Sequence, residues 1–189
     1  MSPRLFALVP AAVAINLVVG RVAAELALPV YLDTLGTMLV AVLTGLPGGV
    51  LVGTVSQLFA GMLSGYQWLP FVVIQWLIAL LAAVAAHRGG FASPLRSAGW
   101  GAVCGVIAGV VSALISFLLF HGVTAGGVTA ITTVLRGLGL SLSTAVTAAS
   151  LATDILDKTV AFVVVGSLLR ALPKRILGRF PIAARAVGR

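Results

Sequence analysis

The residues that could do chemistry fall in two places. One is a helical face late in the chain, where Thr147, Ser150, Asp154, Asp157 and Ala161 follow one another at spacings of three and four, with Lys158 beside Asp157. The other is "PVYLDTLGT", residues 29–37, where Asp33 stands at the mouth of a stretch, Thr34 to Ala86, that holds no Asp, Glu, Lys or Arg. Ionisable groups in such apolar surroundings are costly and mark ligand or ion sites. Carboxylates and an ammonium brought together there would recognise a polar or zwitterionic small molecule. A structural ion pair, Asp157 with Arg136 or Lys158 with Asp33, is the plainer use of the same groups. Asp33 also has an ordinary local role as the N-cap of the helix that follows, accepting from the N–H of residue 35 or 36.

Uncharged polar residues extend the set. Gln57, Gln75, Trp76 and Asn16 are spread over three apolar segments. Singly, each serves as an interhelical hydrogen bond. Together with Asp33, Arg136, Asp154, Asp157 and Lys158 they outline a polar pocket between apolar walls, the usual make-up of a small-molecule site. Tyr66 and Trp68 read as anchors at a membrane interface.

The elements that must position these groups are membrane helices. The chain of 189 residues is 60% hydrophobic and 8% charged, with mean hydropathy +1.19. A soluble domain needs a charged surface that this composition does not supply. Breakers divide the chain into six apolar segments: about 5–26, 33–45, 49–64, 70–86, 98–121, and one that begins between 143 and 150 and ends near 172 at Pro173. "GLPGG", "SGYQWLP", "HRGGFASPLR" and a Gly- and Thr-rich stretch containing "RGLGLS" are the connections. Arg4 followed by an apolar run resembles a signal peptide; we read it as the first membrane helix. The second segment is short, since residues 34–45 rise only about 18 Å as a helix. Asp157, counted back from Arg170, lies about 20 Å into the last helix.

Charge sets the orientation. Six spans place Arg4, Arg88, Arg96, Arg170, Lys174, Arg175, Arg179, Arg185 and Arg189 on one side and all four acids towards the other. This is the positive-inside pattern, with both termini cytoplasmic and a basic tail over 173–189 that can touch anionic lipid. The fold class expected is therefore an all-α integral membrane protein, a compact bundle of six transmembrane helices forming one domain. Small residues supply its packing faces: Gly49, Gly53, Ser56, Ala60 and Ser64; Gly101, Gly105, Gly109, Ser112 and Ser116; and Ala7, Ala11 and Ala14 on the first helix. The last set reads equally as packing within the chain or as a docking face for another membrane subunit.

Other function classes lose support. The net charge of +8 is crowded at one terminus with only Phe180 among the cations, so there is no base-stacking platform for nucleic acid. The lone Cys104 makes no disulfide within the chain and reads as a small packing residue. The only lysines, Lys158 and Lys174, follow Asp and Pro, so there is no phosphate-binding G-x-x-x-x-G-K-[ST] loop. Metal-protease, paired-cysteine and nucleophile-elbow patterns are missing, and His87 and His121 have no neighbouring ligand. No enzyme activity, metal or cofactor is expected.

The runs "LPVYLDTLGTMLVAVLTGLPGGVLVG" and "DILDKTVAFVVVGSLLRALPKRI", in a chain of six short hydrophobic segments, resemble the substrate-binding S components of energy-coupling factor transporters. The resemblance covers nearly the whole chain, with "YLDTLGT" and "DK…LPKR" its most specific parts. It implies a subunit of a prokaryotic plasma membrane that captures a vitamin or related nutrient at the outer face. It further implies partnership with a transmembrane coupling subunit and two cytoplasmic ATPases, which would account for the missing ATP loop. The family's docking face carries over to Ala7 and Ala11, with Pro10 between them, and its outer binding site to the neighbourhood of Asp33, Gln75, Arg136 and Asp157. Two other readings stay open: a self-sufficient small transporter or channel, and a membrane assembly or sensor subunit.

Overall fold

A computed structural model describes residues 3–26, 28–121 and 127–189. The elements in chain order are α1 (Pro3–Glu25), α2 (Leu35–Thr44), α3 (Leu46–Ser64), a 3-10 helix (Tyr66–Phe71), α4 (Val72–His87), α5 (Pro94–Phe120), α6 (Gly127–Gly137), α7 (Leu142–Ala171), α8 (Lys174–Leu177) and α9 (Pro181–Ala186). The described residues contain no strand. Four stretches are long and apolar enough to cross a membrane: Ala7–Glu25, Leu46–Ser64, Tyr66–His87 and Pro94–Phe120. α2 has only 10 residues. α7 has 30, interrupted by Asp154, Asp157 and Lys158.

Local chemistry explains the long helices. Ser93 caps α5 by accepting from the Arg96 N–H at 3.2 Å, with Pro94 in the first turn where its missing N–H costs nothing. Ser141 caps α7 the same way through the Thr144 N–H. Leu172, ahead of Pro173, turns extended and ends α7.

α5 packs along α7 more extensively than any other pair of helices. Its glycines make this possible. A methyl group on Gly105 would sit 2.4 Å from Ile155 Cα, and one on Gly101 2.6 Å from Thr159 Cα. α1 meets α2 as closely, with a methyl on Gly36 falling 2.1 Å from the Ala12 carbonyl oxygen. Met38, Ile78, Phe162 and Leu169 fill the centre, with Phe91 stacked on Phe162 at 5.3 Å. The outward faces of α3, α5 and α7 carry exposed Leu58, Phe59, Leu114, Leu118, Val160 and Leu168. Apolar surface that extensive is suited to lipid rather than water.

Several expectations are corrected. Thr34, not Asp33, is the N-cap of α2, and it makes no side-chain cap bond. The Gly36 N–H is taken by Asn16 Oδ1 at 2.7 Å, so a neighbouring helix does the capping. The 173–189 tail is not a simple basic flank. It folds as α8 and α9, with α9 packed against α2 and α4, and buries Leu177, Ala183 and Ala186. The Gly- and Thr-rich stretch yields α6, packed on α7. Ala7, Ala11 and Ala14 lie exposed on the outer face of α1, whereas Ala12, Val13 and Asn16 on the other face are buried.

Candidate functional site

A cavity of about 240 Å³ lies at the end of the bundle away from α8 and α9. That volume is just below the ~300 Å³ where small-molecule pockets usually begin, so it suits a compact ligand. Its walls come from the loop before α2 (Tyr31, Asp33, Thr34), Gln57 of α3, and Gln67, Trp68 and Phe71 of the 3-10 helix. Ile74 and Gln75 of α4, Ser112, Ser116 and Phe120 of α5, Val128 of α6, and Ser150, Asp154 and Lys158 of α7 complete it.

The α7 face is the electrostatic centre. Asp157 is fully buried and does not line the cavity. One of its oxygens accepts from two successive amides, Tyr31 N at 3.0 Å and Leu32 N at 2.7 Å. Leu32 takes a left-handed backbone, φ 52°, which turns both N–H groups to one acceptor. Such a conformation in a non-glycine residue costs on the order of 1–3 kcal/mol and is held by its surroundings. The other Asp157 oxygen is ion-paired to Lys158, whose ammonium also lies 3.9 Å from Asp154 Oδ1. Asp157 thus straps the loop before α2 onto α7 and holds Lys158. The structural pairs considered from sequence, with Arg136 and with Asp33, are not the ones formed.

Asp154 is oriented differently. It is 2% exposed, it lines the cavity, and its Oδ2 has no hydrogen-bond partner. Thr34 Oγ1 and Ser150 Oγ, both in the cavity wall, are likewise buried and unpartnered. Asp33 lines the cavity half-buried, and its carboxylate forms no ion pair among the described residues.

The glutamines serve wall and scaffold together. Gln75 donates to the Asp33 carbonyl at 3.2 Å and accepts from Thr37 Oγ1 at 2.7 Å. Gln57 donates to the Trp68 carbonyl, fixing the 3-10 helix over the cavity.

Of the residues singled out from sequence, Asp33, Gln57, Gln75, Asp154 and Lys158 meet at the cavity. Four do not line it. Asn16 is buried in a hydrogen-bond cluster with Thr37, Ser56 and Gly36. Trp76 is 42% exposed on the outer surface, donating to Thr54 Oγ1. Arg136 is exposed on α6 and donates to the Leu140 carbonyl at 3.3 Å. Asp157 acts from behind the wall. Trp68 is a wall residue as well as a candidate anchor. Tyr31, Thr34, Phe71 and Phe120 were missed. Ser112 and Ser116, packing residues by their spacing, sit one and two turns beyond Gly109, the last α5 glycine, and line the cavity.

Comparison with protein families, curated proteins and solved structures finds no match to the chain.

Proposed function

We propose that the chain is a membrane-embedded substrate-binding subunit of the energy-coupling factor type, capturing a small polar nutrient and delivering it with separate coupling and ATPase subunits. The observation that carries this reading is the cavity itself: a wall of polar residues, three with buried unpartnered atoms, and aromatic rings, at the end of the bundle opposite Arg88, Arg96, Arg170 and the basic tail. By the positive-inside rule that cationic end faces the cytoplasm, and the cavity opens outward. On this reading α1, α2, α3, α4 with its 3-10 extension, α5 and α7 are six crossings, and both termini are cytoplasmic. The exposed face of α1 with Ala7, Ala11 and Ala14 is the surface for the coupling subunit.

The test is mass spectrometry of small molecules released from detergent-purified protein, with the co-purifying proteins identified in the same preparation. A stoichiometric nutrient together with a coupling subunit and ATPases is the expected result. Uptake into liposomes containing this chain alone, with no ATPase, would favour a self-sufficient transporter instead.

A further inference from the structure

We infer that the cavity selects a small, flat organic cation, a ring bearing a protonated or quaternary nitrogen, over neutral and anionic molecules of the same shape. The inference rests on the reading of this cavity as a capture site and adds the chemistry of what is captured.

Three observations converge. The first is charge. Asp33, Asp154 and Asp157 stand around one ammonium, Lys158, which leaves two negative charges uncompensated. Asp157 and Lys158 neutralise each other, so the two carboxylates left over are those in the wall, Asp33 and Asp154. No other described cation turns to them: Arg21 pairs with Glu25, and Arg136 donates to a backbone carbonyl. A carboxylate withdrawn from water that must share its one ammonium neighbour with another carboxylate is costly until a proton or a second cation joins it.

The second observation is the direction of the unused hydrogen-bonding capacity. Asp154 Oδ2 is a buried acceptor in the wall with nothing to accept. A ligand N–H would meet it there, and Ser150 Oγ and Thr34 Oγ1 can add to that contact. An anion would find the opposite. Lys158 is 2% exposed and already held by Asp157, so an anion brought to it would compete with that pair beside two like charges.

The third is the aromatic wall. Trp68, Phe71 and Phe120 line the cavity, with Phe71 and Phe120 stacked 9° from parallel at 6.0 Å. Ring faces attract cations and pack flat rings. Carboxylates and aromatic rings in one wall suit a positively charged ring better than a flexible polar chain.

The experiment measures equilibrium binding of benzamidinium, benzamide and benzoate to the detergent-purified full chain. The three share a ring and differ in charge. Benzamidinium is expected to bind about tenfold or more tightly than benzamide, with benzoate weakest. Asp154→Asn and Asp33→Asn are each expected to reduce that preference about fivefold or more, with elution volume unchanged. Asp33 lies in a loop, so its variant keeps the test decisive should Asp154→Asn fail to fold. Equal binding of the three probes, preference for benzoate, no benzamidinium binding, or a preference untouched in the folded variants would each overturn the inference. A neutral or anionic nutrient released from the purified protein would also overturn it while leaving the capture role standing. Selective benzamidinium binding by a chain that carries no nutrient and no coupling partner would do the reverse.

Discussion

Two polar clusters lie in this bundle, and they differ in what is left over. Between α1, α2, α3 and α4, Asn16 donates to Thr37 Oγ1 at 2.9 Å and Ser56 Oγ at 3.0 Å, and accepts from the Gly36 N–H. Thr37 Oγ1 donates to Gln75 Oε1, and Gln75 donates to the Asp33 carbonyl. Each of these contacts joins two elements, and every polar side chain in the cluster has at least one partner. Around α7, by contrast, Asp154 Oδ2, Ser150 Oγ and Thr34 Oγ1 are buried with no partner. Buried polar groups are normally satisfied, so a closed network is a strut and an open one awaits something. Both clusters look alike in sequence, as isolated polar residues in apolar helices. The structure separates them by counting bonds.

If that distinction is right, the members of the α7 cluster should not be equivalent. Asp157 belongs with the struts, although it is adjacent to the site. Replacing it with Ala leaves the Lys158 ammonium only the longer contact to Asp154 and releases the Tyr31 and Leu32 amides. Breaking a buried pair from one side costs about 3–5 kcal/mol, and this is the largest loss expected here. Thermal unfolding in detergent should show it as a greatly lowered midpoint or no folded yield. A variant as stable as the parent would mean that the strap holds nothing.

Gly105→Ala comes next. The added methyl would meet α7 backbone at Ile155 and the Asp154 carbonyl, not a side chain that can swing away. Forced separation of α5 and α7 should cost about 2–3 kcal/mol, in the upper range for overpacking. Because the same contact sets the position of Asp154, the folded fraction should also bind ligand more weakly. Unchanged stability and unchanged binding together would show that the helices have slack that the close approach hides.

Asn16→Leu sharpens the contrast from the other side. It leaves the Gly36 N–H, Thr37 and Ser56 short of a partner, a loss of about 2 kcal/mol. Ligand affinity in the folded fraction should stay the same, because Asn16 is not in the cavity wall. A selective fall in affinity with stability intact would move Asn16 from the strut to the site.

These assignments show where sequence reasoning reached and where it stopped. The three-and-four spacing of Ser150, Asp154, Asp157 and Lys158 was legible, because a helical face follows from periodicity alone. So was the small-residue stripe of α5, whose glycines now lie against the α7 backbone. What could not be read was the division of labour within a face. Asp154 and Asp157 are one turn apart and chemically identical; only the path of the loop before α2 decides which of them is saturated. The Asp33 cap failed for a similar reason. Local pattern made it the first choice, but Asn16, 20 residues away, reaches the Gly36 amide first. α6 was missed because its Gly and Thr content lowers intrinsic helix propensity, and packing on α7 overrides that.

The smallest stability change is expected for Asp154→Asn, and it bears most directly on the comparison. The substitution keeps the shape of the side chain and removes a charge whose cationic neighbour, Lys158, is already paired with Asp157. Lys158 loses a neighbour at 3.9 Å but keeps Asp157. The unfolding midpoint should therefore shift by the equivalent of about 1 kcal/mol or less, in either direction. Against that small shift, binding of a cationic ligand should fall sharply, so stability and affinity separate at a single residue. Asp157→Ala, one turn along the same helix, should show the opposite balance, with the fold lost before the site. Measured side by side in one detergent, the pair decides the matter. If Asp154→Asn destabilises the chain as much as Asp157→Ala does, the α7 cluster is one structural unit and its unpartnered oxygen is not a place held for a ligand.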